Sequence, residues 1–352
     1  MKRTGPQKSG ARSVDLLALA DCVERFPTKA VVLLGDFVAD EFQLSEISRV
    51  SREAPVLILR HRETQIVPGG GANAANNLAA LGARVLPITV VGDDLAGEVL
   101  LAYFAEKKIN ASGVVRAKGW TTPRKTRFLA GWAHTVAQQV LRVDSEPQSP
   151  PEEGVRRKLL EKLRASIRSA DALAVSDYGF GVVTPELVRR VTLKRGRKLQ
   201  VTLDARHNLS AYARCGITSA TPNEAELEAL HHTSIGKNLD ELARCGRATL
   251  AAMKLDTLLV TRGRDGMALF ERGARFTQIP VHGSDQAVDV TGAGDTVLAA
   301  YTLAVACGAS PLEASHIANI AGGLVVMKRG TATVTRAELL DAIRLDAGGA
   351  GS

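Results

Sequence analysis

From about residue 29 onward, short runs of Val, Leu and Ile alternate with stretches of helical periodicity, and this alternation restricts the fold more than any other feature of the chain. The runs are Ala30-Val31-Val32-Leu33-Leu34, Val85 to Val91, Ala172 to Val175, Leu199 to Leu203 and Thr257 to Val260. Such residues are the ones strands favour. Strands separated by helices read as βαβ units around a mostly parallel sheet, so the expected class is α/β. Each run ends near Gly, Asp or Thr. Open α/β sheets bind ligands beyond the carboxyl ends of their strands, which places Asp36, Asp93, Asp177, Asp204 and Thr261 near one rim.

The intervening helices carry their own punctuation. Val155, Leu159, Leu160, Leu163 and Ile167 recur at helical spacing with Arg and Lys on the other face, as in a surface helix. Thr184-Pro185, Thr221-Pro222 and Ser310-Pro311 read as helix starts, because Pro fits the first turn and the hydroxyl satisfies a free amide. Thr221 with Glu224, Ser310 with Glu313 and Thr335 with Glu338 have the spacing of capping boxes. Two segments break the rhythm. Residues 41–66 and 119–144 hold strand-like runs such as Pro55-Val56-Leu57-Ile58-Leu59 and Arg127-Phe128-Leu129-Ala130, and read as a small β-sheet lid. A lid sheet exposes an apolar face that substrate or a second subunit must cover, so a homodimer through the lid is expected. The expected plan is a disordered basic tail over 1–14, one domain over 29–345 and a flexible tail over 346–352.

Composition narrows the partners. The 352 residues are 45% hydrophobic and 23% charged, an ordinary globular balance. The apolar stretch Val297 to Ala309 is too short to span a bilayer and contains Thr302 and Gly308, so it reads as a buried helix. The polar start Met1-Lys2-Arg3-Thr4-Gly5 argues against a secretory signal, and the scattered Cys22, Cys215, Cys245 and Cys307 suggest neither disulfides nor zinc. A cytoplasmic protein is expected. The net charge is +8, but Lys2, Arg3, Lys8 and Arg12 precede the first acid, Asp15, so the rest is only mildly basic. With 4% aromatic residues there is no evident base-stacking platform, and a small anionic molecule is favoured over nucleic acid or membrane.

The sharpest motif is Asp289-Val290-Thr291-Gly292-Ala293-Gly294-Asp295, followed by a long apolar helical run. Glycines opening a helix leave amides bare at its positive end, an anion site, and a carboxylate in the first turn could take a proton from a hydroxyl attacking phosphate. An ordinary Gly-capped helix with an Asp in its first turn has the same residues. A second run, Gly69-Gly70-Gly71-Ala72-Asn73-Ala74, has two readings. Through Gly69, Gly71 and Ala74, with Asp93 or Asp94 beyond, it fits the dinucleotide fingerprint of a dehydrogenase. Alternatively, its glycines let the backbone approach a sugar and Asn73 offers donor and acceptor to hydroxyls. Asn223 and Glu226 share a helix face and could hold water around Mg2+. Asp36 and Asp40 suit sugar hydroxyls, and Lys125 and Arg127 suit an anionic substrate group, with solvated charges as the plainer alternative for both pairs.

Together these residues resemble the ribokinase-like, or PfkB, carbohydrate kinases from about residue 30 to 343, with both glycine signatures present in order. The resemblance implies a three-layer α/β/α sandwich with a mostly parallel central sheet and a small β-sheet lid. It also implies an ATP-dependent, Mg2+-requiring sugar kinase with K+ as a further candidate cofactor. It makes Asp295 the base and Gly292, Ala293 and Gly294 the anion hole. Asp36, Asp40, Gly70, Gly71, Asn73, Lys125 and Arg127 fall at substrate positions, and Asn223, Glu226, Thr261, Gly263, Gly266 and Asn319 at nucleotide positions. Glu226 corresponds to the Mg2+ residue, through water, and Asp289 and Thr291 to the monovalent-cation loop. Within the family, Ser48 to Val56, Lys125-Thr126-Arg127, Gln138 to Asp144 and Ser176-Asp177-Tyr178-Gly179 resemble the bacterial heptose 7-phosphate kinases of lipopolysaccharide-precursor synthesis, which act on an anomeric hydroxyl. The sequence departs from them at Gly131-Trp132-Ala133-His134 and Asp204-Ala205-Arg206, and a ribokinase- or fructokinase-like specificity is the alternative. No nucleotidyltransferase segment follows, so a separate kinase is expected.

Overall fold

The computed structural model describes residues 14–132, 135–193, 199–284 and 286–349. Ala133 and His134 of the lid motif, residues 1–13 of the expected basic tail, and residues 350–352 lie outside these.

The chain opens with α1 (Leu16–Glu24), β1 (Ala30–Gly35), β2 (Phe37–Val50), β3 (Leu57–Gly70), α2 (Gly71–Ala80), β4 (Arg84–Gly92) and α3 (Leu95–Glu106). Next come β5 (Val114–Ala117), β6 (Arg124–Gly131), β7 (Gln138–Ser145), α4 (Glu153–Ser166), β8 (Ala172–Asp177), α5 (Pro185–Thr192), β9 (Gln200–Ala205) and β10 (Ser219–Ala220). It closes with α6 (Glu224–His231), α7 (Leu239–Met253), β11 (Thr257–Thr261), β12 (Met267–Glu271), β13 (Thr277–Ile279), α8 (Ala293–Ala306), α9 (Pro311–Val325) and α10 (Arg336–Gly349).

Nine strands form the main sheet in the order β13-β12-β11-β10-β9-β8-β1-β4-β5. It is parallel from β11 to β5, with β12 and β13 added antiparallel at one edge. Its central strands bury side chains on both faces. Val31, Leu33, Ala172 and Ala174 pack in the core beneath α1, α2, α8, α9 and α10. Val32, Leu34, Leu173 and Val175 pack in the opposite core with α4, α5 and α7. This makes a three-layer sandwich. Leu33 and Leu34 are each fully buried, worth about 2 kcal/mol apiece.

The domain is longer than its strand pattern suggested. Helix α1, capped by Asp15, places Leu19 and Val23 in the core ahead of residue 29. At the other end α10 runs to Gly349, so residues 346–349 are helical rather than tail.

The second sheet has four strands in the order β3-β2-β6-β7. Strands β2 and β3 pair from Phe37 with Gly70 to Val50 with Leu57, so pairing continues past the expected 41–66 into the glycine run. Strand β6 lies parallel to β2, setting Asp40 beside Lys125 and Phe42 beside Arg127. The sheet leaves Leu57, Val140, Leu141 and Val143 exposed, with Val56 just ahead of β3 exposed as well.

Candidate active site

The site forms where α8 begins. Asp289 accepts from the amides of Thr291 and Gly330, each at 2.9 Å, which pins the loop leading into the helix. Burial alone would raise the Asp289 carboxyl, but these bonds outweigh it and hold the group below its ordinary value. Gly292, the residue before the helix, has φ +78°, and a Cβ there would stand 2.5 Å from Asn73 Nδ2. No side chain caps this N-terminus, and although the Ala293 amide turns back to the Val290 carbonyl at 3.3 Å, the helix presents its positive end to an anion.

Asp295 sits in the first turn, 2% exposed. Asn73 Nδ2 donates to its Oδ2 at 2.8 Å and the Tyr178 hydroxyl donates to its Oδ1 at 3.2 Å. Burial pushes the carboxyl up to about 7, with Asp40 adding to the rise and the two donors and Lys125 opposing it. A carboxylate poised there is suited to accept a proton near neutral pH. Behind it, Asn77 Nδ2 donates to Asn73 Oδ1 at 3.1 Å, and Thr296 Oγ1 donates to Asn77 Oδ1 at 3.0 Å. The asparagines of α2 therefore lock that helix to α8.

Two cavities meet at this point, sharing Thr261, Val290 and Gly294. One, of about 180 Å3, is mostly apolar and is lined by Gly263, Gly266, Val281, Val297 and Asn319 among others. Gly266 has φ +74°, and a Cβ on it would lie 2.1 Å from the Ile279 carbonyl oxygen. The other, of about 270 Å3, is polar and brings together Asp40, Gly70, Lys125, Arg127, Thr291 and Asp295 with Asn223 and Glu226. Arg127 Nη1 bonds Asp40 Oδ1 at 2.6 Å, while Lys125 and Arg206 lie over the Tyr178 ring, 5.4 and 5.8 Å from its centroid.

Three expected substrate residues do not reach the cavity. Asp36 is fully buried, and its carboxylate accepts the amides of Tyr178, Phe180 and Val182. Asn73, also fully buried, spends its side chain on Asp295 and Asn77. A Cβ on Gly71 would come within 2.9 Å of both the Asp36 carbonyl oxygen and Gly35 Cα, so that glycine serves close packing of α2 on β1. The helix expected to be capped by Thr221 starts two residues later. Asn223 and Glu226 form a reciprocal capping box instead, and Thr221 Oγ1 is buried in the cavity wall with no hydrogen-bond partner.

Tyr178 and Thr221 join the site without a sequence signal for a binding role, while Asp204 and Arg206 join it from the rim and the departing Asp204-Ala205-Arg206 segment. Asp204 is the penultimate residue of β9, close to the strand end that binds ligands in such sheets. Burial, then Glu226 and Asp295, raise its carboxyl well above the ordinary value. Burial raises Glu226 as well, despite its bond from the Asn223 amide.

The residues fit a bound nucleotide: a bare helix N-terminus, an unpartnered Thr221 hydroxyl and an adjoining apolar cavity. Among the described residues no group of three or more His, Cys, Asp and Glu is arranged to hold a metal ion. A Mg2+ ion here would draw its ligands from phosphate and water, as that ion commonly does.

A phosphate at the start of α8 and a hydroxyl in the polar cavity would meet over Asp295, which is the layout of a small-molecule kinase. Residues 29–338 match the profile of the pfkB family carbohydrate kinases, and the chain belongs to that family. The bifunctional protein HldE of Geobacter metallireducens is 39% identical over 310 residues, covering 88% of this chain and 62% of that protein. The protein of the same name from Mesorhizobium japonicum is 37% identical over 327 residues, covering 91% and 63%. This chain thus spans less than two thirds of the length of these relatives. In fold it is similar to Arabidopsis thaliana ribokinase complexed with ribose and ATP, with TM-score 0.67, 18% identity, and 90% and 99% of the two chains covered. It is likewise similar to Escherichia coli phosphofructokinase-2 in complex with potassium, with TM-score 0.72, 21% identity, and 91% and 99% covered.

The enzyme is a carbohydrate kinase, and the dehydrogenase reading of Gly69, Gly71 and Ala74 is set aside. The geometry gives the reason. The strand before these glycines belongs to the small sheet and pairs antiparallel to β2, whereas the dinucleotide fingerprint follows a strand of the parallel sheet. Among the described residues no helix is long and apolar enough to cross a membrane.

Proposed function

We propose that this kinase phosphorylates a sugar phosphate, with heptose 7-phosphate at its anomeric hydroxyl as the first candidate. The observation that carries the reading is a pair of cations, Lys125 and Arg206, in the wall of the polar cavity that holds Asp295. Among the described residues neither belongs to an ion pair, whereas neighbouring Arg127 and Arg142 do. Burial, followed by repulsion from Arg206, presses the Lys125 ammonium below its ordinary value, a cost that a bound anion would offset. The heptose assignment adds the resemblance of the lid segments.

ATP would supply the phosphoryl group, held by Asn223, Glu226, Thr261, Gly263, Gly266 and Asn319. Asp295 accepts the proton of the attacking hydroxyl, and the amides of Gly292, Ala293 and Gly294 take up charge on the transferred group. Asp40 and Gly70 hold the sugar. Asp289 and Thr291 would hold a monovalent cation that steadies the loop before α8, and Glu226 would hold Mg2+ through water. Screening sugars and sugar phosphates for ADP release tests the reading. Heptose 7-phosphate is expected to give the fastest turnover, and a preference for free ribose or fructose would reject it.

The exposed apolar residues of β3 and β7 support a homodimer through the small sheet, since an uncovered patch of this kind favours association. Light scattering at micromolar concentration is expected to give twice the chain mass of 37.3 kDa. Val140→Glu with Leu141→Glu is expected to return a monomer, and a monomeric parent would reject the interface.

A further inference from the structure

We infer that Tyr178 is a positioning residue for the base, and that the buried Asp36 carboxylate exists to hold Tyr178 in place. The inference rests on the reading of Asp295 as the base. An aspartate carboxyl turns easily about its last torsion, yet proton transfer in line with phosphoryl attack demands close alignment. Here each oxygen has its own donor from a different element: Asn73 of α2 on Oδ2, and Tyr178 of the segment after β8 on Oδ1. Together they fix the carboxylate plane and leave further lone pairs for the substrate hydroxyl.

The segment carrying Tyr178 has no helix or strand of its own before α5 and includes Gly179 and Gly181, both at positive φ. Left alone it would be the loosest wall of the site. Asp36 reaches beneath it from the end of β1 and accepts the amides of Tyr178 at 2.9 Å, Phe180 at 3.1 Å and Val182 at 3.1 Å. Asp177 adds a second clamp, taking the Gly179 amide at 2.9 Å and the Tyr212 hydroxyl at 2.5 Å. A fully buried carboxylate is costly, and Asp36 neither lines the cavity nor pairs with a cation among the described residues. Its side-chain bonds go to this segment, and the segment in turn reaches the catalytic helix through the Tyr178 hydroxyl on Asp295.

The Tyr178 ring has a second duty, since Lys125 and Arg206 lie over it. One side chain thus touches both the base and the cations facing the substrate, which makes its two parts separable by mutation. Tyr178→Phe removes the hydroxyl and leaves in place the charged residues that share the cavity with Asp295, namely Asp40, Lys125, Arg127, Asp204, Arg206 and Glu226. With MgATP and heptose 7-phosphate, or the best substrate of the panel, kcat is expected to fall about tenfold or more while both KM values stay within about twofold. Tyr178→Leu removes the ring as well, and should in addition raise KM for the sugar phosphate alone. A Tyr178→Phe enzyme with kcat within about twofold of the parent, or with its loss carried by KM, overturns the inference. Thermal melting with MgATP confirms that the variant is folded and binds nucleotide. If Asp295→Asn retains turnover, the base reading itself fails, so the two failures are told apart.

Discussion

Asp295→Asn is expected to lower kcat by about three orders of magnitude, the middle of the range for loss of a general base, with little change in the affinity for MgATP. The asparagine keeps the volume and can still bond Asn73 and Tyr178, so the loss isolates the proton acceptor. Nucleotide affinity should survive because the apolar cavity, Asn319 and the amides of α8 are untouched. Near-normal ADP release would reject the role. The same substitution makes a second forecast of opposite sign. The carboxyl stands at about 7 in the folded chain against an ordinary 3.8. Between those values the folded state keeps a proton that the unfolded state releases, so this group's contribution to stability declines as pH rises from about 4 to about 7. The Asn variant escapes that decline. It should melt above the parent at pH 8, with the difference closing toward pH 5. A variant less stable than the parent at pH 8 would show that Asp295 is not held at a cost. Activity retained at the expense of stability is a common property of catalytic sites.

What the sequence revealed and what it hid divide along a physical line. Gly292, Gly294 and Asp295 were legible because their geometry is local: a turn, a helix start and a first-turn carboxylate lie within a few residues. The strands of the main sheet were legible because burial concentrates Val, Leu and Ile in short runs. Asn73 and Asp36 were legible as polar residues beside glycines, but the direction of their side chains depends on partners far along the chain. Asn73 finds Asp295, 222 residues away, and Asp36 finds the amides of a segment more than 140 residues away. Thr221 shows a subtler failure. Its spacing to Glu224 satisfies the capping-box pattern, but so does the spacing of Asn223 to Glu226, and pattern alone does not choose between overlapping boxes. In the fold, the Thr221 amide instead bonds the Leu203 carbonyl, and the Thr261 amide bonds that of Pro222. That continues the strand direction and delays the helix. Helix α1 lies ahead of the first strand, outside the alternation, so the periodic signal gave it no place.

Replacing both cations, Lys125→Met with Arg206→Gln, is expected to reduce kcat/KM for a sugar phosphate by about 100-fold or more, mostly through KM. A charge-assisted hydrogen bond to a phosphate contributes about 1.5–3 kcal/mol, so losing two gives at least this effect, even allowing for partial exposure of Arg206. Turnover of the corresponding free sugar, however slow, should stay within about threefold, since these side chains would face only the substrate's anionic group. That comparison separates a subsite for the substrate's own phosphate from a role on the transferred phosphoryl group. Residues that stabilise the latter would lower kcat for both substrates alike, because transition-state contacts appear in kcat and uniform binding contacts in KM. The placement of the cations favours the first outcome. Lys125 is on the small sheet and Arg206 follows β9, at the wall shared with the adjoining cavity lined by Arg142, Tyr178 and His207. Of the proposed nucleotide residues, Gly263, Gly266 and Asn319 line the other cavity, while Asn223 and Glu226 stand in the polar one, where the transferred phosphate would lie. A phosphate bound between Lys125 and Arg206 would thus extend away from the nucleotide, leaving the hydroxyl end of the sugar toward Asp295.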